Sequence, residues 1–154
     1  MAEDNWLARG LDHQPSALVT GGSVGLGLAM ARDLVRRGWL VFVCARTQAD
    51  LDAAAALEPA LRTIRADVAL AADRERVMAE VERATGGRPL DLLVNNAAIV
   101  RAHDYTNPFT LGADRAADEI AINFAAPVEL CRLFLASRAG RAGGPGAILN
   151  VSTP

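Results

Sequence analysis

Short apolar runs alternating with stretches of helical period predict a parallel α/β fold, a doubly wound sheet with helices on both faces. Three observations carry that expectation. The run Leu40-Val-Phe-Val-Cys44 is apolar without alternation, as a strand covered on both faces requires. Helical segments of roughly 10–20 residues separate the runs, a length that suits right-handed crossovers between parallel strands. A glycine-rich turn, Thr20-Gly-Gly-Ser-Val-Gly-Leu-Gly27, stands where the first run gives way to the first helix.

The elements follow in order. Residues 1–15 form a polar leader with early acids and no apolar core, so no signal peptide is expected. Residues 17–20 read as the first strand. A helix over about 24–37 carries Leu28, Ala31 and Val35 on one stripe and stops at Gly38. The second strand, 40–44, precedes an Ala-rich helix over 48–57 that Pro59 ends. Residues 61–64 are the third strand. A helix over about 70–85, with Val77, Val81 and Ala84 on one side, closes at Gly86-Gly87. The fourth strand, 90–94, runs into Asn95-Asn96. A polar stretch with Asn107-Pro108 leads to a long helix over about 114–137 that contains Pro127, which is expected to kink it. The turn 140–146 introduces a last strand over 147–151. The expectation is one Rossmann-like dinucleotide-binding domain over 16–154, strand order 3-2-1-4-5, without the last strands and helices of the full fold.

Composition narrows the function. The 154 residues are 51% hydrophobic with a net charge of −2, which leaves no basic footprint for nucleic acid or anionic lipid. No apolar run is expected to approach the roughly 18 residues of a membrane span. Cys44 and Cys131 lie in apolar segments without metal-ligand spacing and read as reduced core residues, and the cytoplasm is the expected compartment. All sixteen basic residues are Arg. No amine side chain is present for catalysis or for gripping phosphate.

The glycines at 21, 25 and 27 have a G-x-x-x-G-x-G spacing. Such a turn brings backbone amides close to a pyrophosphate while the following helix contributes its positive end. Gly21 permits the turn, Gly25 the close approach and Gly27 the packing of helix on strand. A Walker-type loop requires a Lys and is excluded. An accidental glycine-rich turn is the bland alternative, and the strand–turn–helix context argues against it. At the end of the second strand, Cys44-Ala-Arg-Thr47 offers no carboxylate before Asp50. Arg46 there favours NADP over NAD, because an Arg pairs with a 2′-phosphate where an acid would hold a 2′-hydroxyl. A merely solvated Arg at a strand end is the competing reading.

These residues together resemble the short-chain dehydrogenase/reductase family: Thr20–Gly27, Arg46, Asp67-Val68, the tetrad Asn95-Asn96-Ala97-Ala98, Asn123 in the long helix, and Asn150-Val-Ser-Thr153. Within it, the segments CAR, EIAINFAAPVEL and AILNVS look most like the subgroup of DltE-type oxidoreductases. The resemblance implies that Thr20, Gly21, Ser23, Gly25, Leu26 and Gly27 belong to the pyrophosphate loop and that Arg46 contacts the 2′-phosphate. It implies that Asp67 and Val68 lie against the adenine ring, that Asn95 steadies the central sheet and that Ala97 lies beside the ribose. Asn123 would anchor a water-linked proton relay. Thr153 would take the place of the family's substrate-orienting Ser, with Ser152 just before it. Read without the resemblance, Asn123 is a packing residue and the Ser-Thr pair satisfies local backbone groups.

The family's proton donor is a Tyr with a Lys four residues on. A free phenol has a pKa of about 10, so nearby positive charge is needed to make it a working acid. The one tyrosine here is Tyr105, in the loop after the fourth strand, with Phe109 four residues on and no Lys anywhere. The dyad is therefore expected beyond Pro154, and the stop after an apolar strand reads as an interruption that leaves an edge and a face of the sheet open. Three readings follow. The first is the cofactor-binding portion of an NADP-dependent short-chain oxidoreductase, acting on a small or medium apolar alcohol or ketone and pairing as a homodimer or homotetramer. The second is an inactive NADP-binding sensor. The third is a non-functional remnant of a truncated gene.

Overall fold

The computed structural model describes residues 11–100, 113–140 and 145–152. Strand β1 (Ser16–Thr20) is followed by α1 (Gly25–Arg36), β2 (Leu40–Ala45), α2 (Gln48–Leu57), β3 (Arg62–Arg65) and α3 (Ala71–Ala84). Then come β4 (Leu92–Asn95), α4 (Ala113–Ile120), a π-helical turn (Ala121–Ala125), α5 (Ala126–Arg138) and β5 (Ala147–Asn150). The five strands are parallel and ordered β3-β2-β1-β4-β5, a Rossmann-like α/β sheet as the sequence predicts.

The two faces divide the side chains of each strand by parity. Ala17, Val19, Val41 and Val43 pack with Ala31, Leu34, Leu51 and Ala54 of α1 and α2. Leu18, Phe42 and Leu93 point the other way, against Val77 and Val81 of α3 and Leu130 and Phe134 of α5. β1 is buried over all five residues because both layers close over it.

The ends of the elements differ from expectation in instructive ways. β3 is displaced one residue onward, so Arg65 becomes its last residue, and only Ile64 in it is buried. Ala84 is exposed; the inner stripe of α3 is Val77, Met78 and Val81. The single long helix is broken into three pieces. Pro127, which has no N–H to donate, sits in the first turn of α5, immediately after the π-helical turn, and Ala126 N–H reaches back to Ala121 O.

Ala116–Arg138 also has the length and apolar composition of a membrane span, contrary to the expectation of none. In this fold its inner stripe, Ile122, Ala126, Leu130 and Phe134, packs on the sheet. Its outer stripe, Ile120, Phe124, Val128 and Leu135, is exposed, and so is Leu149 of β5.

At the N-terminal end of the sheet, Asp91 is 5% exposed and ties three segments together. Its Oδ2 accepts from Ser16 N at 2.9 Å and Ser16 Oγ at 3.0 Å, and lies 3.2 Å from His13 Nε2. Its carbonyl accepts from Ala147 N at 2.8 Å, which carries the knot across to β5.

Candidate functional site

The C-terminal ends of β1, β2 and β4 meet where the strand order reverses: from β1 the chain moves outward to β2 and β3, then crosses back to β4 on the other side. A crevice forms at such a reversal because the two crossovers leave β1 in opposite directions. Here the glycine-rich turn lies over it.

That turn is shaped by backbone. Gly21 has φ +63° and donates its N–H to Cys44 O at 2.8 Å, and a Cβ there would stand 2.9 Å from Ala97 Cα. Gly25 has φ +56°, and a Cβ on it would meet nothing within 4 Å. The space in front of it is open. Gly27 is the reverse case: a Cβ would collide with Gly21 O and come 2.5 Å from Asn96 Nδ2. Gly22, to which no role was assigned from the sequence, is buried as tightly; its Cβ would be 2.7 Å from Val43 Cγ1.

The turn is latched to β4 by polar side chains. Thr20 Oγ1 donates to Val94 O at 3.3 Å and accepts from Asn96 N and Ala97 N, each at 3.0 Å. Thr20 is 2% exposed and lines neither cleft described below; its hydroxyl joins β1 to the end of β4. Asn96 Nδ2 donates to Thr20 O at 2.9 Å and Gly21 O at 3.2 Å, holding the carbonyls that precede the helix. Sequence reading passed over Asn96 in favour of its neighbour. Asn95 faces away, donating from Nδ2 to Asn150 Oδ1 at 2.8 Å and to Cys131 Sγ at 3.4 Å. It steadies the sheet by joining β4 to β5 and α5, and it lies on the second cleft and not the first.

Two clefts share Leu26, Asn96, Ala97 and Ala98 as their common wall. The first, of about 310 Å³, is lined by Gly21, Ser23, Gly27, Arg46, Asp67 and Val68 among others. Thr47, Ala66, Ile99 and Ile122 also line it, residues that carry no charge or motif by which a sequence could single them out. Gly25 lies at the N-terminus of α1, between lining residues Val24 and Leu26. Arg46 is exposed at the mouth, and Leu26 projects with 60% exposure. Asp67 is held in place from its own loop: Oδ1 accepts from Ala69 N at 3.0 Å, while its N–H donates to Asp73 Oδ2 at 2.7 Å. That bond and the Arg76 guanidinium hold the Asp73 carboxyl below the usual carboxylate range. Burial pushes the Cys44 thiol, behind the turn, up to about 12, so it is inert as a nucleophile.

The second cleft, of about 760 Å³, is lined by Asn123, Phe124, Pro127, Cys131, Asn150 and Ser152 with the shared wall. Asn123 lies within the π-helical turn, and both atoms of its amide are engaged by one residue. Ile99 N donates to Asn123 Oδ1 at 2.9 Å, and Asn123 Nδ2 donates to Ile99 O at 2.7 Å. The side chain thus clamps the loop after β4. One acceptor lone pair and one donor hydrogen remain for other partners. Ser152 is exposed on the rim. Thr153 and Tyr105 lie outside the described residues.

Comparison with known proteins agrees with this geometry. The profile of the short chain dehydrogenase family matches residues 15–154. An uncharacterized oxidoreductase DltE of Bacillus subtilis is 40% identical over 123 residues, covering 77% of this chain and 46% of that protein. The L-xylulose reductase of Bos taurus is 36% identical over 139 residues, covering 89% and 52%. A solved short-chain dehydrogenase from Streptomyces avermitilis superposes with a TM-score of 0.79 at 29% identity, over 92% of this chain and 50% of that one. The chain spans about half the length of these relatives.

Proposed function

The chain belongs to the short-chain dehydrogenase family, whose members bind NAD(P), and from that premise we propose that it is the cofactor-binding portion of an NADP-dependent carbonyl reductase or alcohol dehydrogenase. The observation that carries the proposal is the open space before Gly25, at the N-terminus of α1, in a cleft that Gly21, Ser23, Gly27 and Arg46 line. A dinucleotide fits this arrangement: pyrophosphate at the turn, adenine between Asp67 and Val68, phosphoribose at Arg46. The second cleft then takes the nicotinamide and a small alcohol or ketone. When bound, the nicotinamide supplies the hydride chemistry.

This chain's residues do the rest. Gly21, Gly22 and Gly27 let the turn pack closely on the scaffold, Gly25 leaves room for the diphosphate, and Asn96 and Thr20 hold the turn rigid. Asn123 orders the loop at Ile99 between the two clefts and has capacity left to hold a water, which supports a place in proton transfer. Ser152 and Thr153 are the hydroxyls offered to the substrate oxygen. Reductase relatives, of L-xylulose and of D-erythrulose among them, support a polar ketone or ketose as substrate. Pairing into a dimer or tetramer through the outer stripe of the helix 116–138 supplies cover for Ile120 and Leu135.

The test is direct. The purified 154-residue chain, titrated with NADPH and NADH by fluorescence, is expected to favour NADPH. It is expected to show no steady loss of absorbance at 340 nm with a panel of small ketones, because the sequence holds no Lys and so no Tyr-x-x-x-Lys pair to deliver a proton. Equal or better binding of NADH, or reproducible turnover, overturns the reading.

A further inference from the structure

Beside the first cleft, and continuous with it through Arg46, Ala66 and Asp67, lies a depression of about 400 Å³ that Arg65, Asp73 and Arg76 complete. Arg65 is the last residue of β3 and lies at this end of the sheet. β2 and β3 are parallel with Ala45 opposite Arg65, so the end of one strand delivers Arg46 and the end of the other delivers Arg65. Arg65 Nε donates to Arg46 O at 3.2 Å, which lays its guanidinium along the residue that bears the other.

The charges in the depression are unequally occupied. Arg76 is spent: its Nη2 donates to Arg65 O at 2.7 Å and to Asp73 Oδ1 at 2.9 Å, with Glu80 3.9 Å from Nη1. Asp73 is spent on Arg76 and on Asp67 N. Asp67 has one oxygen on Ala69 N. No hydrogen bond or ion pair with a described residue engages the Arg46 guanidinium or the two terminal nitrogens of Arg65. Two open guanidinium groups therefore face the space next to the proposed ribose site, where a phosphomonoester dianion needs more than one point charge and accepts bidentate donors.

We propose that Arg65 supplies a second guanidinium to the 2′-phosphate, beside Arg46, and so is a determinant of the choice between NADP and NAD; this rests on the NADP reading above. Arg76 acts as the brace that holds the backbone of Arg65. The competing role for Arg65 is a charge that guards an exposed edge strand, a role that Arg62 on the same strand would share.

Calorimetric titration of the full chain with 2′,5′-ADP and with 5′-AMP separates these. The wild type is expected to prefer 2′,5′-ADP. Arg65→Gln is expected to weaken 2′,5′-ADP by roughly tenfold, the loss of one hydrogen bond to a charged group, and to leave 5′-AMP within about twofold. Arg65→Lys falls between, and Arg62→Gln changes neither ligand. Unaltered 5′-AMP binding reports that the variants are folded. If the wild type shows no preference for 2′,5′-ADP, the NADP reading itself fails. If the preference exists and Arg46→Gln abolishes it while Arg65→Gln leaves it intact, only the role of Arg65 is overturned.

Discussion

At the scale of single residues, the glycines of the turn do different work and predict different losses. A Cβ on Gly25 enters free space at φ +56°, so Gly25→Ala carries a left-handed strain of about 1–2 kcal/mol and intrudes where the diphosphate is proposed to lie. Gly27 has no such strain, but its Cβ would strike Gly21 O and the Asn96 amide, so Gly27→Ala must open the latch itself. Urea denaturation together with NADPH titration distinguishes them. Gly25→Ala should lose more than tenfold in affinity with a modest fall in midpoint. Gly27→Ala should lose about 1–3 kcal/mol of stability as well. Unchanged NADPH affinity in Gly25→Ala would show that the space before Gly25 is not a ligand's.

At the scale of elements, much of the architecture was legible. Helix α2 ends at Leu57, and Pro59, which cannot continue a helix, is a local signal for that end. What was not legible depends on which way a side chain faces. Asn95 and Asn96 are adjacent, so strand alternation sends them to opposite sides, but nothing local says which side carries the glycine turn. The end of β3 likewise is set by its pairing with β2, in which Arg65 stands opposite Ala45. Pro127 announced a disturbance in the long helix, but the widened turn that presents Asn123 to Ile99 is set by tertiary contact with the loop after β4.

The loop before α3 has its own pH dependence. Asp73 accepts from Asp67 N and Arg76, which depresses its folded pKa below the ordinary value of 3.8. A group of that kind stabilises fully above its unfolded value, and the contribution drains away as pH falls through the lower, folded value. Melting curves of wild type and Asp73→Asn should therefore be separated at pH 5–7, with the variant less stable, and should draw together as pH falls below 3.8 through the lower, folded value. A gap that persists at low pH would assign the effect to packing.

At the scale of the molecule, both faces of the sheet carry helices, but the outer stripe of the helix 116–138 and Leu149 of edge strand β5 are left open. Ile120, Phe124, Val128, Leu135 and Leu149 are 46–68% exposed, an apolar area of a kind that marks an interaction surface. Sedimentation velocity over a concentration series should show association of the wild type. Ile120→Ser with Leu135→Ser, on the outer stripe and off both clefts, should shift the material toward monomer without changing NADPH affinity. Unchanged association would place the contact elsewhere.

The Asp91 knot sits at the opposite pole of the sheet from the glycine turn, and it fastens the leader, β1, β4 and β5 without help from any residue of the clefts. The scaffold is thus moored at one end and free to be remodelled at the other. Substitutions around the two clefts therefore leave the fastening at Asp91 untouched, and the frame that presents the clefts stays assembled.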